Sequence, residues 1–320
     1  MFRHCYVSRD QLPKDLSSNI DNPPAIAFTM LSEFELPLRD QDQIALELIG
    51  NSMATGHNLV HRRRTFPHRY DAITEAIIGT IANSFPNIDC LRVYDVAVSN
   101  GVSSKELFEE LSQHFELSLL GMDYLDRIFV VGPIGPWKVV FDNVHRPLQF
   151  VSQRFVIPAH GRDPWRYPVN RLLRICLKTL LLPFAKHRLS QNAPGDPKIK
   201  EIDTFHPNAI ALSRMDPRFN LEHGDMYVPA DGTFELIRAM SVFSNLSKEQ
   251  ISRAVIALCS ALVDGGLLVV GRNRGRHTKD IPTTVFQRRG PHLVAIQDIM
   301  GGAEQRDNLL SLDLGEPRKI

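Results

Sequence analysis

LRVYDVAVSNGVSSKELFEELSQHFELSLLGMD, residues 91–123, is the stretch that decides the fold. Leu91, Val93, Val96 and Val98 are apolar and mostly β-branched, so the segment opens as a strand, and Asp95 falls where that strand runs out. Ala97, Ser99 and Gly101 then place small residues at every second position. From Ser103 the period turns helical: Leu107, Phe108 and Leu111 share one face, with Lys105, Glu106, Glu109 and Glu110 on the other. Residues 117–120 resume as a strand, and Gly121-Met122-Asp123 closes the unit. A turn with little side-chain bulk lets a ligand reach the backbone, and the first N–H groups of the next helix face it. A carboxylate ending the second strand can take both hydroxyls of a ribose. The stretch reads as a nucleoside-binding unit.

The turn separates two fingerprints. The dinucleotide form G-x-G-x-x-G gives each glycine a steric task, and here Ala97, Ser99 and Val102 stand in its place. The stretch resembles instead motif I of the class I S-adenosylmethionine-dependent methyltransferases, usually D-x-G-x-G-x-G. Asp95 and Gly101 match it, while Ala97 and Ser99 replace the first two glycines. This Ala-x-Ser-x-Gly variant is similar to the chemotaxis-receptor carboxyl methyltransferases. The resemblance implies S-adenosyl-L-methionine as cofactor, its methionine end on the backbone of 97–101 and its ribose on Asp123. Asp95, Val98 and Tyr124 join the implied binding set.

Further motifs follow in the order of that family. FELIRAMSVF, residues 234–243, reads as a buried strand turning into a helix, and resembles the fourth-strand motif. Arg238, Ala239 and Met240 are then expected to line the cofactor pocket. Residues 248–262 carry Ile251, Val255, Leu258, Cys259 and Leu262 at helical spacing, and Asp264-Gly265-Gly266 is the expected stop. LVDGGLLVVGR, residues 262–272, is similar to the fifth-strand motif. FNLEHGDMY, residues 219–227, reads as a short strand ending at Asp225, and the family's third-strand acid binds the adenine amino group there, with Met226 beside it. Two strands around Arg289-Gly290-Pro291 make a hairpin. Residues 309–320 read as a loose tail.

Composition sets the outer bounds. The 320 residues are 43% hydrophobic and 23% charged, with a formal net charge of +1, which argues against a generally basic nucleic-acid binder. Cys5, Cys90, Cys176 and Cys259 are far apart and form no C-x-x-C pair, so they read as reduced thiols, small buried hydrophobes rather than disulfides. The first residues lack the apolar core of a signal peptide, and no run reaches the roughly 18 apolar residues that span a bilayer. The expected location is the cytoplasm, with peripheral contact at the inner face of a membrane as a further option.

Upstream of motif I, Asp21-Asn22-Pro23-Pro24-Ala25 lacks the stacking aromatic of the DNA amino-methyltransferase motif and reads as a polyproline turn. Residues 36–52 and 70–84 carry helical apolar spacing. Between them His57 and His61 are four apart, but Arg62, Arg63 and Arg64 oppose a dication, and no metal is expected. Thr65-Phe66-Pro67-His68-Arg69 resembles the threonine-phenylalanine-arginine element that closes over the cofactor in the chemotaxis-receptor enzymes, which implies a contact from Arg69.

Residues 127–203 interrupt the core where its next helix is expected. Their first part alternates strand-like pieces with turns, residues 167–189 are helical until Pro183, and residues 191–200 read as a mobile linker. Thirteen lysines and arginines against five acids give residues 127–205 a net charge of +8. Arg171, Arg174 and Lys178 form a basic stripe beside Leu172, Leu173, Ile175, Cys176, Leu177 and Leu180–Leu182. An anionic substrate, an anionic membrane surface met through residues 171–182, or a lid helix whose basic stripe is merely solvated all fit that pattern.

The expected layout is a helical or irregular segment over 1–69, a methyltransferase core over 70–126 and 204–314, and a basic insertion over 127–203. Its class is α/β: a Rossmann-like, doubly wound, mostly parallel seven-stranded sheet with an antiparallel terminal hairpin. Methyl transfer from a sulfonium is an in-line displacement in which positioning supplies much of the rate. A carboxylate acceptor needs no base, whereas an alcohol, phenol or amine does. No obligate catalytic residue is legible; His206, His223 and Tyr227 are weak candidates, with His145 and His160 behind them. The functional expectation is methylation of an acidic or amphipathic small molecule, with carboxyl O-methylation as its sharpest form. A silent cofactor-binding or membrane-surface protein is the alternative, and a nucleic-acid methyltransferase a lesser one.

Overall fold

A computed structural model of the protein describes residues 68–124, 126–152, 156–159, 168–191, 196–243, 246–272 and 280–316. The Pro-Pro turn, the helix expected over 36–52, His57, His61, residues 62–67 and His160 lie outside them. In chain order the elements are α1 (Asp71–Ser84), β1 (Leu91–Val96), α2 (Val102–Leu111), β2 (Leu117–Asp123), β3 (Arg127–Ile134), β4 (Trp137–Asp142), β5 (Pro147–Val151) and β6 (Val156–Pro158). There follow α3 (Pro168–Cys176), a π-helical stretch (Leu177–Leu181), α4 (Leu182–Gln191), β7 (Ile199–Asp203), α5 (Pro207–Met215) and β8 (Phe219–His223). The last are β9 (Phe234–Met240), α6 (Lys248–Cys259), β10 (Leu262–Gly271), β11 (Thr283–Arg289), β12 (His292–Ile299) and α7 (Arg306–Leu310). The chain divides into two compact units, one of Pro67–Tyr124 with Asn208–Ile320, the other of Met1–Phe66 with Leu125–Pro207.

The first unit holds a seven-stranded sheet in the order β12-β11-β10-β9-β1-β2-β8. Strands β8, β2, β1, β9 and β10 are parallel, and β11 runs antiparallel to both its neighbours. The central strands are buried on both faces, which is why they read as apolar runs rather than as alternations. Leu91, Val93, Leu117, Leu119, Leu236, Leu267 and Val269 face α1, α2 and α5 through Ile73, Ile77, Ile81, Leu107, Phe108, Leu111 and Ala209. On the other side Val96, Ile237, Ala239, Leu268 and Val270 meet α6 and α7 through Ile251, Val255, Leu258 and Leu309. Helices on both faces of a mostly parallel sheet make this the doubly wound α/β fold expected from the motifs, with its terminal hairpin in β11 and β12.

Three local expectations change. Helix α6 ends at Cys259, and Asp264-Gly265-Gly266 is not its stop: those residues lie inside β10, where the register against β9 shifts between Leu262 and Leu267. Gly265 takes φ +75, and a Cβ at Gly266 would meet the Val263 carbonyl oxygen at 2.8 Å, so the pair serves a bulge. At its other end α6 is fixed by a capping box, Ser247 with Gln250. The tail is not loose up to Glu316: Leu309 and Leu314 are buried, and the Leu314 N–H donates to the Pro291 carbonyl at 2.8 Å. Arg288 is fully buried and donates to the carbonyls of Cys259, Leu262, Gly290 and Gly315, tying the end of α6 to that tail. Of the thiols, Cys259 is buried as expected, while Cys90 and Cys176 are exposed.

The second unit contains a five-stranded sheet, β6-β5-β4-β3-β7, whose described pairings are all antiparallel. Strands β3 and β7 escaped the sequence reading, and β7 starts at Ile199, inside the segment read as a linker. Their register brings Arg127 opposite Asp203, so the insertion leaves and returns along one antiparallel pair. Leu177, Leu181, Ala185 and Leu189 pack on this sheet against Val131, Val139, Phe141, Phe150 and Ile157. The helical stretch does not end at Pro183 but runs on to Gln191. Proline is tolerated in the first turn of a helix, and Pro183 is the second residue of α4, just past the π-helical stretch.

Candidate functional site

The sheet changes direction beside β1. From β1 the chain moves outward to β2 and β8, then returns to place β9 and β10 on the other side. In open α/β sheets such a switch leaves a crevice at the carboxyl ends of the two strands where ligands bind. Here that place is the end of β1 and of β9, and the turn into α2 lies over it.

Ala97 has φ +57, Ser99 φ +62 and Gly101 φ +78, so all three alternate positions are left-handed. Glycine reaches that region at little steric cost; alanine and serine carry strain of the order of 1 kcal/mol each there. The strain is held in place by hydrogen bonds. The Val98 N–H donates to the Met122 carbonyl (3.1 Å), the Gly101 N–H to the Val98 carbonyl (3.0 Å), and the Ser99 N–H to Asp123 Oδ2 (2.7 Å). Gly101 is the residue ahead of α2, and a Cβ there would sit 3.2 Å from Leu221 Cδ1 and 3.3 Å from Ala209 Cβ. Asn100 Oδ1 accepts from the Val102 N–H (3.2 Å), satisfying one donor of the helix terminus. Asn100 was not singled out from sequence, although an asparagine just ahead of a helix is a capping signal.

Asp95 closes the floor beneath the turn. It lies opposite Arg238 in the β1–β9 register. Arg238 Nε donates to Oδ1 (2.9 Å) and Nη2 to Oδ2 (2.6 Å), while Ser104 Oγ donates to Oδ2 (2.6 Å). The same Nη2 donates to the Ser103 carbonyl (3.0 Å), so one guanidinium joins β9, β1 and the first turn of α2. Burial pushes Arg238 toward its neutral form, and the groups around it, Asp95 first and then Tyr70 and Glu106, together hold its pKa above the usual value. Removing one partner of such a buried pair costs roughly 3–5 kcal/mol, because the other charge is stranded.

Arg238 is thus buried in its pairing with Asp95, and its guanidinium is not open to a pocket as expected. Ala239 and Met240 are likewise buried, in the apolar clusters on opposite faces of the sheet. What β9 presents at its carboxyl end is Ser241, with φ +59 and its N–H donating to the Gly271 carbonyl (2.7 Å). Arg69 Nη2 donates to Ser241 Oγ (3.1 Å), which brings Arg69 to this edge. The Tyr70 ring lies 4.9 Å from the Arg69 guanidinium and 5.3 Å from that of Arg238. Tyr70, Ser104 and Ser241 were missed in the sequence because each is ordinary in type and matters only through its neighbours.

Around the rim, Asp123 is the last residue of β2 and buried. Tyr124 follows it, its ring 5.8 Å from that of His223 at the end of β8. Strand β8 stops at His223, so Asp225 sits in the ensuing turn rather than at the strand end, and its Oδ1 accepts from the Tyr227 N–H (3.0 Å). Met226 and Tyr227 are half-buried and, with Ala97, pack on the apolar cluster beneath. Glu106, on α2, accepts the His68 N–H at Oε1 (2.9 Å), and burial raises its carboxyl above the usual range despite that bond. His206 is buried but belongs to the other unit, as does His145, which meets Phe129 edge-on. No cluster of metal-ligating groups occurs among the described residues.

No protein-family model and no curated protein matches the chain. Solved structures do, and several of those that it resembles are described as methyltransferases. One, from Methanococcus maripaludis, is 13% identical over 64% of this chain and 58% of its own, with a TM-score of 0.31. A sugar N-methyltransferase from Streptoalloteichus is 11% identical over 78% of this chain and 85% of its own, TM-score 0.33. An amino pentose methyltransferase from Micromonospora echinaspora, solved with S-adenosylmethionine bound, is 14% identical over 77% and 88%, TM-score 0.29. The chain thus spans a little under three fifths of the first of these structures.

Proposed function

We propose that the protein is an S-adenosyl-L-methionine-dependent methyltransferase acting on an acidic or amphipathic small molecule. One observation carries the reading: Ala97, Ser99 and Gly101 are all left-handed in the turn at the switch point, and the acid ending the next strand is bonded to that turn. Two non-glycine residues kept in a glycine conformation mark a backbone shape retained for a purpose. The residues fit the cofactor. The small turn over α2 would take the methionine end, Asp123 the ribose, and half-buried Asp225 with Met226 the adenine. When bound, the cofactor supplies an electrophilic methyl on sulfonium. The chain's part is to orient the acceptor, exclude water and hold the turn rigid through Asp95 and Arg238. Carboxyl O-methylation suits this edge, because a carboxylate acceptor attacks without first losing a proton.

The test is calorimetric titration with S-adenosylhomocysteine. Asp123→Asn is the informative variant, since the amide oxygen still accepts from the Ser99 N–H while the charge is lost. Micromolar binding by the wild type, weakened about tenfold or more by the variant (~1.4 kcal/mol or more), is expected. No binding to the folded wild type would overturn the proposal.

A second reading is a catalytically silent binder. It is favoured by the engagement of both Asp95 oxygens with Arg238 and Ser104, and of Asp123 Oδ2 with Ser99, which makes the motif acids structural members of the turn. Affinity for S-adenosylhomocysteine, without labelled methyl transfer to any carboxylate or amine in an acceptor panel, would select it.

A further inference from the structure

The helical stretch of the second unit carries two apolar rows, and among the described residues only one of them packs on the five-stranded sheet. Leu177, Leu181, Ala185 and Leu189 recur every four residues and pack on the five-stranded sheet. Leu172, Cys176, Leu180 and Phe184 recur at the same spacing and stay in solvent: Leu172, Leu180 and Phe184 are 65%, 70% and 69% exposed, and Val169 ahead of them 73%. In an α-helix a four-residue step overshoots one turn by about 40°, so both rows drift together around the axis. The wider π-helical turn at Leu177–Leu181 offsets part of that drift.

The charge beside the exposed row has one sign. Between Asp163 and Asp196 the chain has no acidic residue, while Arg171, Arg174, Lys178, Lys186 and Arg188 all lie on the helix. Arg188 is engaged by Asp196; Arg171 and Lys178 stand one turn on either side of Ile175, which is itself exposed. An apolar row of this size left in water marks an interaction site. The inner row is already docked on its own sheet, so a groove could not close around this helix. What is offered is one flat face.

We propose that residues 169–186 form a docking surface for an anionic lipid bilayer. The helix lies in the membrane plane, with Leu172, Leu180 and Phe184 among the acyl chains and Arg171, Lys178 and Lys186 at the lipid headgroups. Among the described residues no helix is long and apolar enough to cross a membrane, and the proposal requires none. It stands independently of the methyltransferase reading.

Co-sedimentation of the full chain tests it. Vesicles of phosphatidylcholine alone are compared with vesicles in which about a third of the lipid is phosphatidylserine, an anionic headgroup. The wild type is expected to pellet with the anionic vesicles and to be released at about 1 M salt, where the Debye length is about 3 Å. Leu180→Glu/Phe184→Glu should abolish pelleting with its thermal unfolding unchanged. Arg171→Gln/Lys178→Gln should weaken partitioning roughly thirtyfold, at one surface charge each; both sites are on the surface, so this variant still decides the matter if the first is unstable. Wild type that remains in the supernatant with anionic vesicles overturns the proposal, as does undiminished pelleting by both variants. So does light scattering that finds a wild-type oligomer which Leu180→Glu/Phe184→Glu dissociates, since the row would then be a contact between copies.

Discussion

Gly101 and Ala97 show how one turn can ask different things of neighbouring residues. A side chain at Gly101 would meet both the left-handed φ of +78 and the close approach of Leu221 and Ala209. Gly101→Ala is therefore expected to cost roughly 1–3 kcal/mol by urea unfolding. Ala97→Gly should be close to neutral, because relief of the left-handed strain is offset by the lost methyl contact with the cluster beneath. Glu106 makes a prediction with pH. Burial raises its folded pKa above the unfolded value, so ionising it opposes folding. Its stabilising contribution is complete below the usual glutamate range and is lost as pH rises through the raised value. Glu106→Gln keeps an acceptor for the His68 N–H and removes that pH dependence; unfolding followed upward from below the ordinary glutamate pKa of about 4.3 should show a flatter profile for the variant.

At the level of elements, the helical stretch over the five-stranded sheet offers an internal control. Leu180 and Leu181 are adjacent and identical in type, yet Leu181 is buried against the sheet and Leu180 stands in water. Leu181→Ala should lose about 2–4 kcal/mol of unfolding free energy, and Leu180→Ala no more than about 0.5. Equal losses would mean that the two rows are assigned to the wrong faces. The same stretch shows where sequence reading stops. Its amphipathic spacing and basic stripe were legible, but not which apolar row would pack, since that depends on β3 and β7. Strand β7, with Lys200 and Glu201 exposed, has too little apolar alternation to be read without its partner.

Across the whole molecule, the two units contrast in sheet architecture: parallel and doubly wound in one, antiparallel in the other. A ligand that binds only the folded doubly wound unit stabilises it by mass action. S-adenosylhomocysteine at about 100 times its Kd is expected to add about 2.7 kcal/mol, read as a midpoint that climbs with ligand concentration. A midpoint indifferent to ligand up to millimolar levels would count against the cofactor site.

The motif-bearing stretches were legible because they are local. The strand–turn–helix–strand of residues 91–123, the buried strands β9 and β10 and the hairpin of β11 and β12 follow from period, β-branching and turn residues within a few positions of each other. Asp123, Asp225 and the turn from Ala97 to Gly101 could be singled out for the same reason. The tertiary structure alone decided what those residues do to one another. Asp95 and Arg238 are 143 positions apart in sequence, and only the parallel register of β1 and β9 sets them face to face. Arg69 meets Ser241 from 172 positions away. Pairing between distant strands sets which polar groups consume each other, and no local pattern encodes it.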